Sequence, residues 1–220
     1  MSPEGSPAKR RPPAACRHTD TKGDNIKRTF LALFSLAFAS LGWAQSGEQV
    51  GVPSFKPGDS WTYVRTDKVD RSWNAKYVVT IEWVSDSSHE TSRGDQYTRE
   101  MNPMVLGDQK YEPYIPTFSF PLTPGKKWEG TYSYLSGGRQ WNVTRASRVE
   151  GWETVKTAAG EFKALKITYL EQRRAGRARN DFHGTSWYSP EVRRVVLSEF
   201  KASTPPLDRR VELVSFKLAQ

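Results

Sequence analysis

Nucleophilic, acid–base and metal chemistry each need particular side chains at particular spacings, and this chain offers few of them. Cysteine occurs once, at Cys16, which excludes an intrachain disulfide framework and any multi-cysteine metal site. Beyond residue 44 the histidines are His89 and His183. A zinc site there would need further ligands such as Glu90 or Asp181. Adjacent residues on a strand point to opposite faces, so His89 and Glu90 chelate poorly together. Both histidines are therefore expected as surface residues, with no metal site. The phrases HExxH, GxSxG, GxGxxG and GxxxxGK[ST] do not occur, so there is no zincin helix, nucleophile elbow or phosphate-cradling glycine loop. Ser186 lies three residues from His183 and would face the other side of one regular strand. Glu82, Glu90, Glu100 and Glu171 could supply a carboxylate pair for glycoside hydrolysis, where separations of roughly 5–9 Å matter, but nothing in their spacing selects a pair. The expectation is a protein that is not an enzyme and holds no cofactor.

Binding chemistry is better supplied. Arg173, Arg174, Arg177 and Arg179 crowd around Ala175-Gly176. At a hairpin tip they would form a basic knob, joined by Arg193 and Arg194 or by Arg209 and Arg210. The plain role of such a knob is to blunt strand edges and keep the protein soluble. Its functional role is contact with an anionic surface, such as a lipid headgroup, a polyanionic sugar or an acidic protein, for which Arg173, Arg174 and Arg177 are the candidates; a basic side chain near an anionic membrane contributes about 1 kcal/mol. The chain also holds 8 Trp, 9 Tyr and 10 Phe. Core packing is their ordinary use, yet a curved sheet could present some of them to an apolar ligand. Trp128, Tyr132, Trp141 and Trp187 are the candidates for that aromatic wall.

The elements that must position these residues follow an export segment. Residues 30–41 read FLALFSLAFASL, preceded by Lys27 and Arg28 and followed by Gly42, Trp43 and Ala44. A basic region, a short apolar stretch and small residues before a cut are the arrangement of a secretory signal peptide, here at 26–44. A membrane-spanning helix needs roughly 20 apolar residues, so no permanent membrane anchor is expected. Residues 1–25 read as a disordered extension or as the result of a start codon assigned too far upstream. The 220-residue chain carries 33 basic and 24 acidic residues, a net charge of +9. Residues 1–44 hold 7 basic and 3 acidic residues, so the remainder carries +5 and no cysteine. Periplasmic or secreted localisation is expected, which disfavours nucleic acid as a partner.

After a polar lead-in at 45–56, the dominant period is two. Tyr77, Val79, Ile81 and Trp83 alternate with Lys76, Val78, Thr80 and Glu82, as on a strand with one buried face. Trp141, Val143, Arg145, Ser147 and Val149 share a mixed face. Leu165, Ile167 and Tyr169 make an apolar one, with Glu171 placed on the opposite face only after a slip. Turn residues separate nine or ten such runs, including single strands at 90–99, 140–149 and 152–156. The fold class is all-β: a strongly curved antiparallel sheet, partial barrel or sandwich, as one domain over 57–220. Pro57-Gly58-Asp59-Ser60-Trp61 is echoed by Pro124-Gly125-Lys126-Lys127-Trp128, each before an aromatic-rich strand. Residues 103–124 hold five prolines among Tyr111, Tyr114, Phe118 and Phe120. Such spacing disfavours a central strand, and predicts a crossing segment whose aromatics lie over an open edge or concave face.

The phrases FPLTPGKKWEG at 120–130, RVEGWETVKTAAGEFKALKITY at 148–169 and WYSPEVRRVVLSEF at 187–200 resemble a group of bacterial exported proteins, the domain of unknown function 3108. The resemblance covers about 100 residues and implies a curved antiparallel sheet, akin to half-barrels that ferry lipids or lipoproteins across an envelope. It carries over no catalytic residue, and the arginine-rich loop at 173–179 departs from it. Together these readings predict an exported protein whose sheet binds a hydrophobic or amphipathic envelope molecule such as a lipid. The alternative is an envelope protein–protein interaction or structural module without a small-molecule ligand.

Overall fold

The computed structural model describes residues 48–220. The proposed leader at 26–44, the extension at 1–25 and the first residues of the lead-in lie outside the described residues. Twelve strands follow in order: β1 (Ser60–Asp67), β2 (Ala75–Val84), β3 (Ser88–Thr91), β4 (Gln96–Thr98), β5 (Pro103–Leu106), β6 (Gln109–Lys110), β7 (Lys127–Ser136), β8 (Arg139–Thr157), β9 (Gly160–Ala175), β10 (Ala178–Ser189), β11 (Arg194–Ser203) and β12 (Pro206–Lys217). A single 3-10 turn, Arg71–Trp73, joins β1 to β2.

All neighbouring strands pair antiparallel, in the order β6-β5-β4-β3-β2-β1-β12-β11-β10-β9-β8-β7. The two edges then meet. Glu112, just past β6, exchanges backbone hydrogen bonds of 2.9 and 2.8 Å with Ser133 of β7, and Gln109 Nε2 donates to the Leu135 carbonyl at 2.9 Å. The sheet is therefore a nearly closed barrel, the curved all-β architecture that the period-two runs predict. Closure leaves few backbone groups exposed at an edge.

Each half of the barrel is a six-strand meander, and each begins with a Pro-Gly-x-x-Trp phrase. Gly58 and Gly125 adopt φ of 94° and 83°, conformations open to glycine at little cost. The following backbone then docks identically: Gly58 N–H and Asp59 C=O pair with Ile81, and Gly125 N–H and Lys126 C=O pair with Val149. Asp59, fully buried, also accepts from the backbone N–H groups of Lys56 and Ala219 and from Arg193. Trp61 is fully buried and donates to the Val192 carbonyl, whereas Trp128 is half-buried and donates to Pro116.

One end of the barrel is packed solid. Trp61, Ile81, Val149, Leu165, Ile167, Tyr188 and Leu213 fill it, with Phe55, Phe118 and Leu122 supplied by the segments that cross over. At about 1.5–3 kcal/mol per fully buried large side chain, this end dominates the hydrophobic stabilisation. The crossing segment differs in part from its sequence reading. Pro103 opens β5 and residues 109–110 form the edge strand β6, positions where proline and short strands are tolerated. The run at 90–99 is a tight hairpin of β3 and β4, with Gly94 at φ 74° in its turn. Conversely, 140–149 and 152–156 join into β8 through a register shift between Val149 and Gly151.

Candidate functional site

The other end of the barrel is not filled. Inward-facing residues of β7 to β12, together with β5, β6 and the segment after it, enclose a cavity of about 610 Å³. Trp73, from the β1–β2 connection, also lines it and is 49% exposed. Leu106, Ile115, Val195, Phe200 and Leu207 supply apolar wall, and Tyr111, Tyr132, Tyr134 and Phe182 supply rings.

Strand register builds the polar part of this wall. Arg145 of β8 stands directly opposite Glu171 of β9, with Gly130 on its other side in β7. Arg145 Nη1 donates to Glu171 Oε1 at 2.7 Å, and Arg173 donates to Oε2 through Nη2 at 2.6 Å and Nε at 3.1 Å. The Tyr132 hydroxyl adds a fourth donor to this carboxylate, at 3.1 Å from Oε1. Burial by itself would raise the Glu171 pKa, but Arg145 and Arg173 overcome that and hold it below the ordinary carboxylate value. The guanidiniums are backed by rings: Arg145 lies 3.5 Å from the Tyr169 centroid and Arg173 lies 3.8 Å from that of Phe182, a geometry that favours cations. Two glycines make room. A Cβ on Gly130 would sit 2.8 Å from Pro116, and one on Gly184 would sit 2.0 Å from the Tyr169 ring.

Of the residues named from the sequence as aromatic-wall or anion-contact candidates, the structure brings Tyr132 and Arg173 together on this wall. Trp128 packs against the solid end of the barrel. Trp141 stacks on Tyr134, ring centroids 6.4 Å apart, without lining the cavity. Trp187 lies outside the lumen, its Nε1 donating to Glu153 at 2.7 Å beside Lys166. The arginine run divides by strand alternation: Arg173 turns inward, while Arg174 and Arg177 are exposed. Arg145 and Glu171 were not paired by sequence reasoning. The signal was a charged residue in each of two alternating runs, Arg145 on the mixed face of β8 and Glu171 two residues beyond the apolar face of β9. The slip assigned before Glu171 does not occur, because β9 pairs without interruption from Ile167 to Arg174 and keeps Glu171 on the face of Tyr169. Ser186 is buried on the cavity wall and His183 is exposed.

A second buried polar group lies nearer the solid end. Arg194 is 8% exposed, 4.9 Å from the Trp61 ring and 5.4 Å from Tyr97. His89 differs from its expected surface position: it is 2% exposed, stacks on Tyr97, and leaves Nε2 without a hydrogen-bond partner. Burial, then the charge of Arg194, lowers its pKa to about 4. Among the described residues, no group of three or more His, Cys, Asp or Glu could hold a metal ion, and no helix is long and apolar enough to cross a membrane.

No family model matches the chain, and no curated protein matches it. Solved structures do. A protein from Bacteroides fragilis, described as a candidate exported protein with a YmcC-like fold, matches with a TM-score of 0.49 and 18% identity, over 76% of this chain and 99% of that one. A candidate lipoprotein from Parabacteroides distasonis matches with a TM-score of 0.49 and 13% identity, over 76% and 99%. The hypothetical lipoprotein YmcC of Escherichia coli matches with a TM-score of 0.44 and 10% identity, over 75% and 86%.

Proposed function

We propose that this chain is an exported, non-enzymatic binding protein that takes the apolar part of an amphipathic envelope molecule into its barrel. The observation that carries this reading is the 610 Å³ cavity between apolar and aromatic walls, within the ~300–1,000 Å³ range of small-molecule sites. Hydrophobic transfer supplies the driving force, since a ligand that covers these walls removes apolar surface from water. The basic and apolar leader at 26–44 supports delivery to the envelope, where such molecules are found. Binding fits the wall chemistry better than catalysis does. Glu171 already accepts hydrogen bonds from Arg145, Arg173 and Tyr132, which leaves it a weak base.

Titration with a fluorescent long-chain fatty acid tests the reading. Saturable binding of one probe per chain is expected, weakened at least tenfold by Leu207→Trp, which puts a larger side chain on the cavity wall. Absence of saturable binding, or equal binding by the variant, would contradict it.

A further inference from the structure

We infer that the polar end of the bound molecule is a singly charged oxyanion, a carboxylate or a phosphodiester, seated against Arg173 and Arg145. This rests on the cavity-binding reading and deepens it by assigning the headgroup. The charges on the wall do not balance. Arg145 and Arg173 share the single carboxylate of Glu171, whereas Arg209, the other cation there, is matched by Asp67 at 3.1 Å. One positive charge is left over in a site whose Arg145 and Glu171 side chains are 7% and 4% exposed. An uncompensated charge is costly to keep out of water, and a monoanionic ligand removes that cost on binding.

Unused donors point the same way. Arg145 Nε is buried without a hydrogen-bond partner, which adds to the cost of holding the excess charge out of water. Arg173 spends Nε and Nη2 on Glu171, and its Nη1 has only a long 3.5 Å contact with the Tyr134 hydroxyl. The Arg173 side chain is 27% exposed and lines the cavity, so an arriving ligand can reach it. Its plane is already held by Phe182. A guanidinium fixed in this way is suited to the paired oxygens of a carboxylate or phosphate. Neutral headgroups could hydrogen-bond here but would leave the excess charge in place.

Calorimetric titration of the wild-type chain with hexadecanoate, methyl hexadecyl phosphate and hexadecanol separates the possibilities. At least one anion is expected to bind tenfold or more tightly than the alcohol, and the stronger of the two identifies the headgroup. Arg173→Gln should shrink that preference to within threefold, because anion affinity falls far more than alcohol affinity, and Arg173→Lys should retain part of it. Equal binding of all three molecules would overturn the headgroup assignment and leave the cavity reading standing. Failure of all three to bind would overturn both.

Discussion

Glu171 lies between the Arg145 and Arg173 guanidiniums at 2.7 and 2.6 Å, and its depressed pKa ties the fold to pH. A carboxyl that is more acidic in the fold stabilises above its unfolded pKa of ~4.3. That stabilisation is lost as pH falls through the folded value. Replacing it by Glu171→Gln leaves the buried Arg145 and the half-buried Arg173 without a counterion, and at pH 7 should cost about 3 kcal/mol in urea unfolding. A change below about 1 kcal/mol would mean that water, not Glu171, compensates the arginines. His89 acts in a higher pH window. Its pKa is lowered to about 4, so it is neutral in the fold, while the unfolded chain takes up a proton below about 6.5. Its contribution is full above that value and declines as pH drops toward 4. His89→Phe keeps a ring between Phe55 and Tyr97 but cannot titrate, so the variant should lose much less stability between pH 6.5 and 4 than the wild type. An unchanged slope over that interval would assign the acid sensitivity to another group.

Strands β8, β9 and β10 decide which side chains meet, because alternation sends every second residue inward and a one-residue slip reverses the set. Uninterrupted pairing turns Glu171 and Arg173 inward, and Arg174 outward. Sequence periodicity made Leu165, Ile167 and Tyr169 legible as one face and Trp141 to Val149 as another. It could not place Arg145 opposite Glu171, because that depends on the register shift near Gly151 and on contacts 26 residues apart. Nor could it reveal why residue 184 is glycine. The Tyr169 ring lies across that backbone, so a Cβ would approach it to 2.0 Å, and Gly184→Ala should cost about 1–3 kcal/mol by overpacking. In a double-mutant cycle, Tyr169→Leu should remove much of that penalty, because the atoms in conflict belong to the ring. Additive losses would place the strain elsewhere on β10.

At the scale of the whole molecule, the barrel is divided along its axis between a filled end and an open one. The filled end was readable in outline: Pro-Gly turns, tryptophans at strand starts and apolar alternation are local signals. Trp61 and Ile81 meet there as those signals suggest. The open end was less readable, since a cavity arises where inward side chains from six or more strands fail to meet, a property of closure rather than of any segment. This explains why Tyr132 reaches the cavity while Trp187, equally aromatic in the sequence, pairs with Glu153 outside. It also explains why a basic cluster read as an exposed knob contributes Arg173 to the interior. Native mass spectrometry of the protein purified from cells, followed by solvent extraction, examines the occupied state itself. The cavity reading predicts one retained amphipathic molecule per chain, depleted in Leu207→Trp. Recovery of the bare polypeptide mass, with no adduct even after exposure to an envelope lipid extract, would contradict it.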